Sequence, residues 1–126
     1  MRFLCALACC GLSAAIGGAQ KSARLGGELG AAPAAAASRP NPYAGQPDAV
    51  LAGRKLFKRH CAECHGSEGR GRGKAPNLRS RTIQEAPDGT LLWFLRNGNL
   101  KEGMPSWSRL PAERIWQIVS YVKTLK

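Results

Sequence analysis

The sequence predicts an all-α protein of three to four short helices. Three observations carry this prediction: an amphipathic stretch near residue 50, a second one at the end of the chain, and a shorter apolar stretch with helix start and stop signals between them. A chain of 126 residues suggests one domain. Because small domains bury a low share of their surface, we expect only a small core.

The first predicted helix leads directly to Cys61. Val50, Leu51, Leu56 and Phe57 form one apolar stripe that basic residues interrupt, which is the pattern of an amphipathic helix. Cys61 and the residues after it are therefore expected at the end of a helix.

Capping residues and apolar spacing mark the two later helices. Asp88 is a candidate N-cap for a helix from Gly89 to Asn97, and Gly98 is its stop signal. Pro111 suits the first turn of the last helix, which is predicted to run to Leu125. The inward-facing positions are Leu91, Leu92 and Leu95 in the first of these helices and Ile115, Ile118, Val119, Val122 and Leu125 in the second.

Residues 66–81 are predicted to form a loop, because they include five basic residues, four glycines and Pro76. Within them, residues 69–73 read Gly-Arg-Gly-Arg-Gly, which is superficially similar to a phosphate-binding loop. No predicted strand precedes this segment and its spacing departs from the dinucleotide fingerprint, so we reject that function.

Three regions divide the chain. Residues 1–19 combine the early charge of Arg2 with an apolar stretch and a small-residue ending, and we interpret them as a signal peptide for export. One alternative is an uncleaved leader that tethers the protein to a membrane, although the apolar run falls short of the ~20 residues of a spanning helix. Another is a lipoprotein acylated at Cys9 or Cys10, which would need a longer apolar run before the cysteine. Residues 20–46 are rich in Ala, Gly and Pro and predict a disordered linker. Residues 47–126 are the predicted domain.

The chain is strongly basic. It has 19 Lys and Arg residues against 8 Asp and Glu residues, a net charge of +11, which suits an acidic partner, an anionic membrane surface or nucleic acid. The basic residues do not belong to a recognisable nucleic-acid module, so we exclude nucleic acid. An acidic protein partner and contact with a membrane surface remain open.

The cysteines fall into two groups, one in the predicted leader and one in the predicted domain. Three of the five cysteines lie in the predicted leader, which leaves only Cys61 and Cys64 in the exported protein. Two cysteines this close in sequence do not build a disulfide framework. Their use as covalent or metal ligands is therefore the leading hypothesis.

The motif Cys-Ala-Glu-Cys-His at residues 61–65 predicts a covalently bound haem. Cys61 and Cys64 are three positions apart, so both sulfurs point to one side of a helical turn and can reach the two vinyl groups of a haem. His65 follows directly and can bring an imidazole nitrogen to the iron. A structural zinc site would need a second ligand pair, and a thioredoxin-like pair would need a preceding strand. Neither is present in the sequence pattern.

The domain resembles a class I cytochrome c of the short bacterial mono-haem type. Gly53, Phe57 and Cys61 reproduce the four-residue spacing of that family, and Ile118 and Tyr121 match the partners in its last helix. The resemblance covers nearly the whole predicted domain. It implies the class I cytochrome c fold, in which the helices wrap around one covalent haem c.

The resemblance also implies how His65 is held. Pro76 falls where the family has a proline whose carbonyl accepts a hydrogen bond from the ring of the haem histidine. Such a bond orients a metal-bound imidazole and raises its basicity. Leu78 is expected to pack on the haem face.

The other axial ligand is expected on the distal side. Gly103-Met104-Pro105 resembles the family's distal loop, and Met104 is the only methionine besides Met1. Pro105 favours an extended shape at Met104, and Gly103 lets the backbone come close to the porphyrin. The resemblance thus implies ligation by Met104, with Trp107 packed nearby.

A haem whose two axial positions are filled leaves no coordination site for a substrate, so we expect a periplasmic one-electron carrier rather than an enzyme. One alternative is an electron-accepting cytochrome subunit of an exported dehydrogenase complex. Another is a haem peroxidase or gas sensor in which Met104 is easily displaced.

Redox proteins such as a periplasmic dehydrogenase, a cytochrome bc complex or a terminal oxidase are the expected partners. The protein would then be a monomer or a subunit of a redox complex. Basic side chains around an exposed haem edge would steer acidic partners. The candidates for this role are Arg70, Arg72, Lys74, Arg79 and Lys101.

Overall fold

A computed structural model of the protein describes residues 25–126, and the predicted signal peptide lies outside the described residues. Every regular element of this part is helical, apart from one isolated bridge between Asn99 and Met104. None of its helices is long and apolar enough to cross a membrane. After helical residues 25–29, the elements are α1 (Ala34–Ala37), α2 (Pro47–His60), α3 (Ala62–His65), α4 (Arg81–Glu85), α5 (Asp88–Asn97), a 3₁₀ turn (Leu100–Glu102) and α6 (Ala112–Val122).

Helices α2 and α6 cross in close contact, and this crossing organises the core. A Cβ atom at Gly53 would lie 1.9 Å from the carbonyl oxygen of Gln117, so only glycine fits there. One turn later Phe57 is fully buried, with its ring centroid 5.2 Å from that of Tyr121. The all-α fold class is confirmed, and the crossing brings the end of α2 to the centre of the domain.

The buried face of α2 differs from the predicted stripe. Ala49, Gly53 and Phe57, spaced by four residues, are the buried positions of this helix. Leu51, which the sequence pattern placed inward, is 57% exposed. Leu51 is two positions from both Ala49 and Gly53, so it lies on another side of a helix with 3.6 residues per turn. Two small residues, Ala49 and Gly53, together with Phe57 thus form the buried face of α2.

Helix α5 has the predicted extent, but its start differs from the prediction. Leu91 and Leu92 are buried and Gly98 is the C-cap, as expected. Asp88 is the first helical residue and makes no side-chain capping bond. Its carboxylate instead accepts a hydrogen bond from Asn41 at 3.0 Å and lies 3.6 Å from Lys123. Long-range partners therefore take the place of the local cap.

The last helix is shorter than its apolar pattern suggests. Helix α6 covers Ala112–Val122, with Pro111 as its N-cap rather than its first residue. Residues 66–80 contain no helix, which confirms the predicted loop. The short helix α4 that follows was not predicted, because Ile83 is its only large apolar residue and is too little for a periodic pattern.

Residues 25–46, which we call the N-terminal arm, are packed against the domain, whereas the sequence predicts a disordered linker. Leu25 and Leu29 are each only 6% exposed, and Tyr43 packs against the core. The buried amide of Asn41 donates hydrogen bonds to Asp88 and to the Ser120 hydroxyl, both at 3.0 Å. A few apolar and polar contacts thus hold a segment whose composition alone offers little to bury.

Candidate haem site

A cavity of about 1150 Å³ lies between α2, α5, α6 and the loops that follow α3 and α5. Its walls are largely apolar side chains of the core, including Phe57, Leu91, Ile118 and Val119. The residues predicted to bind the cofactor all line this one cavity: Cys61, Cys64, His65, Pro76, Leu78, Met104 and Trp107. The fold therefore brings together positions that are far apart in the sequence.

The end of α2 and the single turn of α3 position both cysteines. Cys61 is the C-cap of α2, and its backbone N–H donates to the Phe57 carbonyl at 2.8 Å. The Cys61 carbonyl then accepts bonds from the N–H groups of Cys64 and His65, at 3.2 and 2.9 Å. This tight turn holds the two sulfurs and the imidazole in a fixed relation.

The buried Cys61 thiol lacks the lowered pKa of a redox-active cysteine. Cys61 is buried and Cys64 exposed, and they form no disulfide. Burial, together with the neighbouring Cys64, raises the pKa of the Cys61 thiol to about 12. Catalytic dithiols have a lowered pKa, because the thiolate is the reactive form. A thioether has no proton to lose, so covalent attachment suits the buried position of Cys61.

His65 is 8% exposed and is oriented by the loop that follows α3. Its Nδ1 atom lies 3.1 Å from the Pro76 carbonyl oxygen. A carbonyl only accepts hydrogen bonds, so Nδ1 carries the proton and donates. The Nε2 atom is then the unprotonated nitrogen that a metal ion can bind. The contact between His65 and Pro76 is the one that the family resemblance implies.

Met104 lies on a short loop whose two ends are paired. The N–H of Asn99 donates to the Met104 carbonyl at 2.8 Å, and the N–H of Met104 donates to the Asn99 carbonyl at 2.9 Å. Gly103 has a φ of 88°, in the left-handed region, which lets the chain return to this pairing. The Met104 backbone is therefore fixed where its side chain lines the cavity.

Two further predicted residues flank the site. Leu78 packs against the core, and its N–H donates to the Gly69 carbonyl at 2.8 Å. The N–H of Trp107 donates to the Leu95 carbonyl at 2.9 Å, which ties the loop after Met104 to α5. The ring of Trp107 lies 5.0 Å from that of His60, between centroids.

The donor set fits a haem c. The site offers two thiols for the vinyl groups, one imidazole whose Nε2 is unprotonated, one thioether and an apolar cavity around them. A zinc site does not fit, because no group of three or more His, Cys, Asp and Glu residues within residues 25–126 could hold a metal ion.

Comparison with known proteins agrees with this reading. Residues 48–122 match the family model described as cytochrome c oxidase, cbb3-type, subunit III. The chain belongs to this cytochrome c family. As a cytochrome c, it carries a covalently bound haem c.

Two relatives of this cytochrome illustrate the likeness. Cytochrome c550 of Pseudomonas aeruginosa is 33% identical over 91 residues, an alignment that covers 67% of this chain and 61% of that protein. The crystal structure of cytochrome CL from the marine methylotrophic bacterium Methylophaga aminisulfidivorans superimposes with a TM-score of 0.57 at 25% identity. That match covers 66% of this chain and 57% of the other. The chain thus spans about three fifths of the length of these relatives.

The cavity of the cytochrome also has walls that sequence reasoning missed. Ile83 of α4 lines it, although a single apolar residue in a polar stretch gives no periodic signal. The arm contributes Leu25, Glu28 and Leu29. The one available signal was the spacing of two leucines by four residues within a run of glycines.

The basic residues expected to surround the haem edge of the cytochrome divide into two groups. Arg70 and Arg79 lie 3.0 and 3.9 Å from the Glu68 carboxylate, and Arg72 donates to the backbone carbonyl of Glu63. These three side chains have local partners. Lys74 lines the cavity and Lys101 is exposed on the 3₁₀ turn.

Proposed function

We propose that this cytochrome is a periplasmic one-electron carrier whose haem iron is ligated by His65 and Met104. The observation that carries the proposal is the shared cavity, which both side chains line together with Cys61 and Cys64. When bound, haem c supplies an iron that accepts and releases one electron. The residues of the chain attach it, supply its ligands and shield it from water.

The two ligands are supported by different contacts. The hydrogen bond from His65 to the Pro76 carbonyl places the proton on Nδ1, leaves Nε2 unprotonated and makes the imidazole a stronger donor. The thioether of Met104 is a neutral, soft ligand, and methionine ligation favours the ferrous form more than a second histidine does. We therefore expect a relatively positive reduction potential.

The two proposed ligands would also decide what else the haem can bind. If His65 and Met104 both ligate the iron, no coordination position would be left for peroxide or a diatomic gas. We expect the reduced protein to bind carbon monoxide poorly at neutral pH. Ready binding would instead support the peroxidase or gas-sensor alternative.

An absorption spectrum of protein matured in a periplasm tests the site. Haem that stays with the polypeptide after acid–acetone extraction supports the thioether bonds of Cys61 and Cys64. The weak thioether-to-ferric-iron band supports Met104, and Met104→Leu should lose this band while Leu78→Ala, a matched change in the cavity wall, should keep it. Extractable haem would contradict covalent attachment, and a band that survives Met104→Leu would contradict the assignment of that ligand.

The surface beside the cavity, around His60 and Trp107, is the proposed contact for an acidic redox partner. The Arg109 guanidinium lies 5.8 Å from the ring centroid of Trp107. Burial, followed by the charges of Arg59, Arg109 and Arg114, lowers the pKa of His60. Within residues 25–126, none of these three arginines has a carboxylate within 4 Å. Their clustered charge is thus free to attract an acidic redox protein.

Charge reversal tests this surface. Arg109→Glu and the matched exposed control Arg81→Glu change the net charge equally. We would measure oxidation of the reduced protein by anionic hexacyanoferrate(III) and by a cationic cobalt complex at low and high salt. Arg109→Glu should slow the anionic reaction more than Arg81→Glu does, and high salt should remove the difference. Equal effects of the two variants would show that the reaction rate depends on net charge alone and not on this surface.

The cellular location is proposed from the composition of residues 1–19. Fractionation of cells that express the native gene should release the cytochrome with the periplasm. Recovery with the membrane would support a retained leader. A catalytic subunit that co-purifies in fixed proportion would support the dehydrogenase-subunit alternative.

A further inference from the structure

The N-terminal arm lies outside the part of the chain that defines the family. The family match begins at residue 48, and the arm covers residues 25–46. Its helical residues 25–29 nevertheless line the same cavity as Cys61, His65 and Met104. A simple spacer between leader and domain is not expected to line the haem cavity, so this position indicates a role for the arm in the site.

Two leucines carry the contact. Leu25 and Leu29 are spaced by four residues, so they lie on one face of a helical turn, and each is 6% exposed. The intervening Gly26 and Gly27 are exposed. The Cβ position of Gly26 is 3.9 Å from the Thr82 side chain, which places this turn over the start of α4. The arm thus turns its large apolar side chains toward the cavity.

The rest of the arm fastens this turn to the domain. A Cβ atom at Gly89 would lie 2.0 Å from the Ala36 carbonyl oxygen, so α1 and α5 are in backbone contact. Further along, the buried amide of Asn41 binds both Asp88 and Ser120. The arm is therefore held at two points, on α5 and on α6, beyond the leucines themselves.

We propose that the N-terminal arm forms one wall of the haem site, with Leu25 and Leu29 as cofactor-covering residues that raise the reduction potential. The inference rests on the proposed haem site. Apolar cover lowers the local dielectric and disfavours the additional charge of the ferric form. Glu28, which also lines the cavity, acts in the opposite direction because a nearby carboxylate stabilises the ferric form.

Redox titration of three holoprotein variants tests the proposal. Leu29→Ser should shift the midpoint potential to more negative values. Leu51→Ser is the matched control, because it makes the same change at a leucine that is 57% exposed and outside the cavity, and it should leave the potential unchanged. Glu28→Gln should shift the potential in the positive direction. Equal potentials for Leu29→Ser and the unmodified protein would overturn the proposal.

Hydrogen exchange of the unmodified holoprotein gives a second readout that needs no variant. The N–H groups of Gly30, Ala31 and Ala32 donate to carbonyls within the arm at 2.9, 3.3 and 3.1 Å, so they should exchange slowly. Free exchange at these amides would contradict a fixed wall. Both readouts are interpreted in protein that retains covalent haem and the thioether band. Loss of these features from every preparation would point to failure of the proposed ligands rather than of the arm.

Discussion

Two close helix approaches in this molecule look alike locally and differ in their surroundings. A Cβ atom would meet a carbonyl oxygen at 1.9 Å at Gly53, where α2 crosses α6, and at 2.0 Å at Gly89, where α1 meets α5. The first crossing is surrounded by fully buried side chains such as Phe57 and Ile118. The second involves α1, a helix of four residues without a buried side chain.

The loss of stability caused by such a clash depends on how easily the two helices can move apart. Closely packed interiors transmit strain, so α2 and α6 cannot separate without opening the core around the haem site. The arm lies outside the family-matched helices, so we expect it to be displaced as a unit and to leave them intact. The same added methyl group should therefore have a global effect at one position and a local effect at the other.

Gly53→Ala is expected to have the largest effect. The new Cβ would overlap the Gln117 carbonyl oxygen, and overpacking of this kind costs about 3 kcal/mol of unfolding free energy. Urea unfolding of the holoprotein measures the loss. Gly27→Ala is the matched control, since nothing lies within 4 Å of its Cβ position, and its stability should be unchanged or slightly higher. A loss below about 1 kcal/mol at Gly53 would mean that the two helices separate easily.

Gly89→Ala is expected to cost less, about 1–2 kcal/mol, because the arm can move away from α5. The change should increase proteolysis and amide exchange within residues 25–46, while the haem remains covalently attached. Mass spectrometry of the cleaved fragments locates the effect. If the whole protein unfolds as it does after Gly53→Ala, the arm and the core form one cooperative unit and the distinction between them is wrong.

Two of the core helices and the cofactor were predictable from the sequence because their signals are local. Apolar spacing predicts α5 and α6, and the cysteine and histidine spacing in residues 61–65 predicts the cofactor. The resemblance supplied the contact between His65 and Pro76, which is present at 3.1 Å. The helices and the haem motif depend on residue types at fixed short separations, so one sequence is enough to recognise them, whereas the Pro76 contact required the family resemblance.

The packing of the arm was not predictable because its contacts are made with residues far along the chain. Its composition is dominated by Ala, Gly and Pro, which predicts disorder, and its contacts depend on single residues such as Asn41 and Leu29. Those contacts join it to positions far along the chain. The unexpected role of Asp88 has the same origin, since its partners Asn41 and Lys123 lie outside its own helix.

Asn41→Ala tests the polar anchor of the arm. The substitution removes the donor to Asp88 and Ser120 and the side-chain acceptor of the Tyr43 N–H, and we expect a loss of about 1–2 kcal/mol. Gln46→Ala is the control, because the exposed Gln46 amide donates only to the nearby Pro42 carbonyl. Its effect should lie within about 0.5 kcal/mol. Equal urea midpoints for the two variants would show that the arm is held by its apolar contacts alone.

The smallest expected effect is a pH dependence that belongs to the core and not to the arm. His60 lies at the end of α2, whereas residues 25–46 contain no histidine. Burial and the charges of Arg59, Arg109 and Arg114 lower the pKa of His60 below 6.5. The unfolded chain therefore takes up this proton first as the pH falls, so the stabilisation from His60 is complete above 6.5 and is lost on acidification through its folded pKa.

His60→Asn should flatten this part of the stability profile. We would compare urea midpoints of the holoprotein at about pH 7.5 and about pH 5, a range in which histidine is the side chain that titrates. The only other histidine is His65, the proposed iron ligand, which is present in both proteins and so does not affect the comparison between them. The unmodified protein should lose more stability on acidification than the variant, and amide exchange in the arm should respond equally in both. A pH response of the arm that disappears with His60→Asn would show that the arm and the end of α2 are energetically coupled.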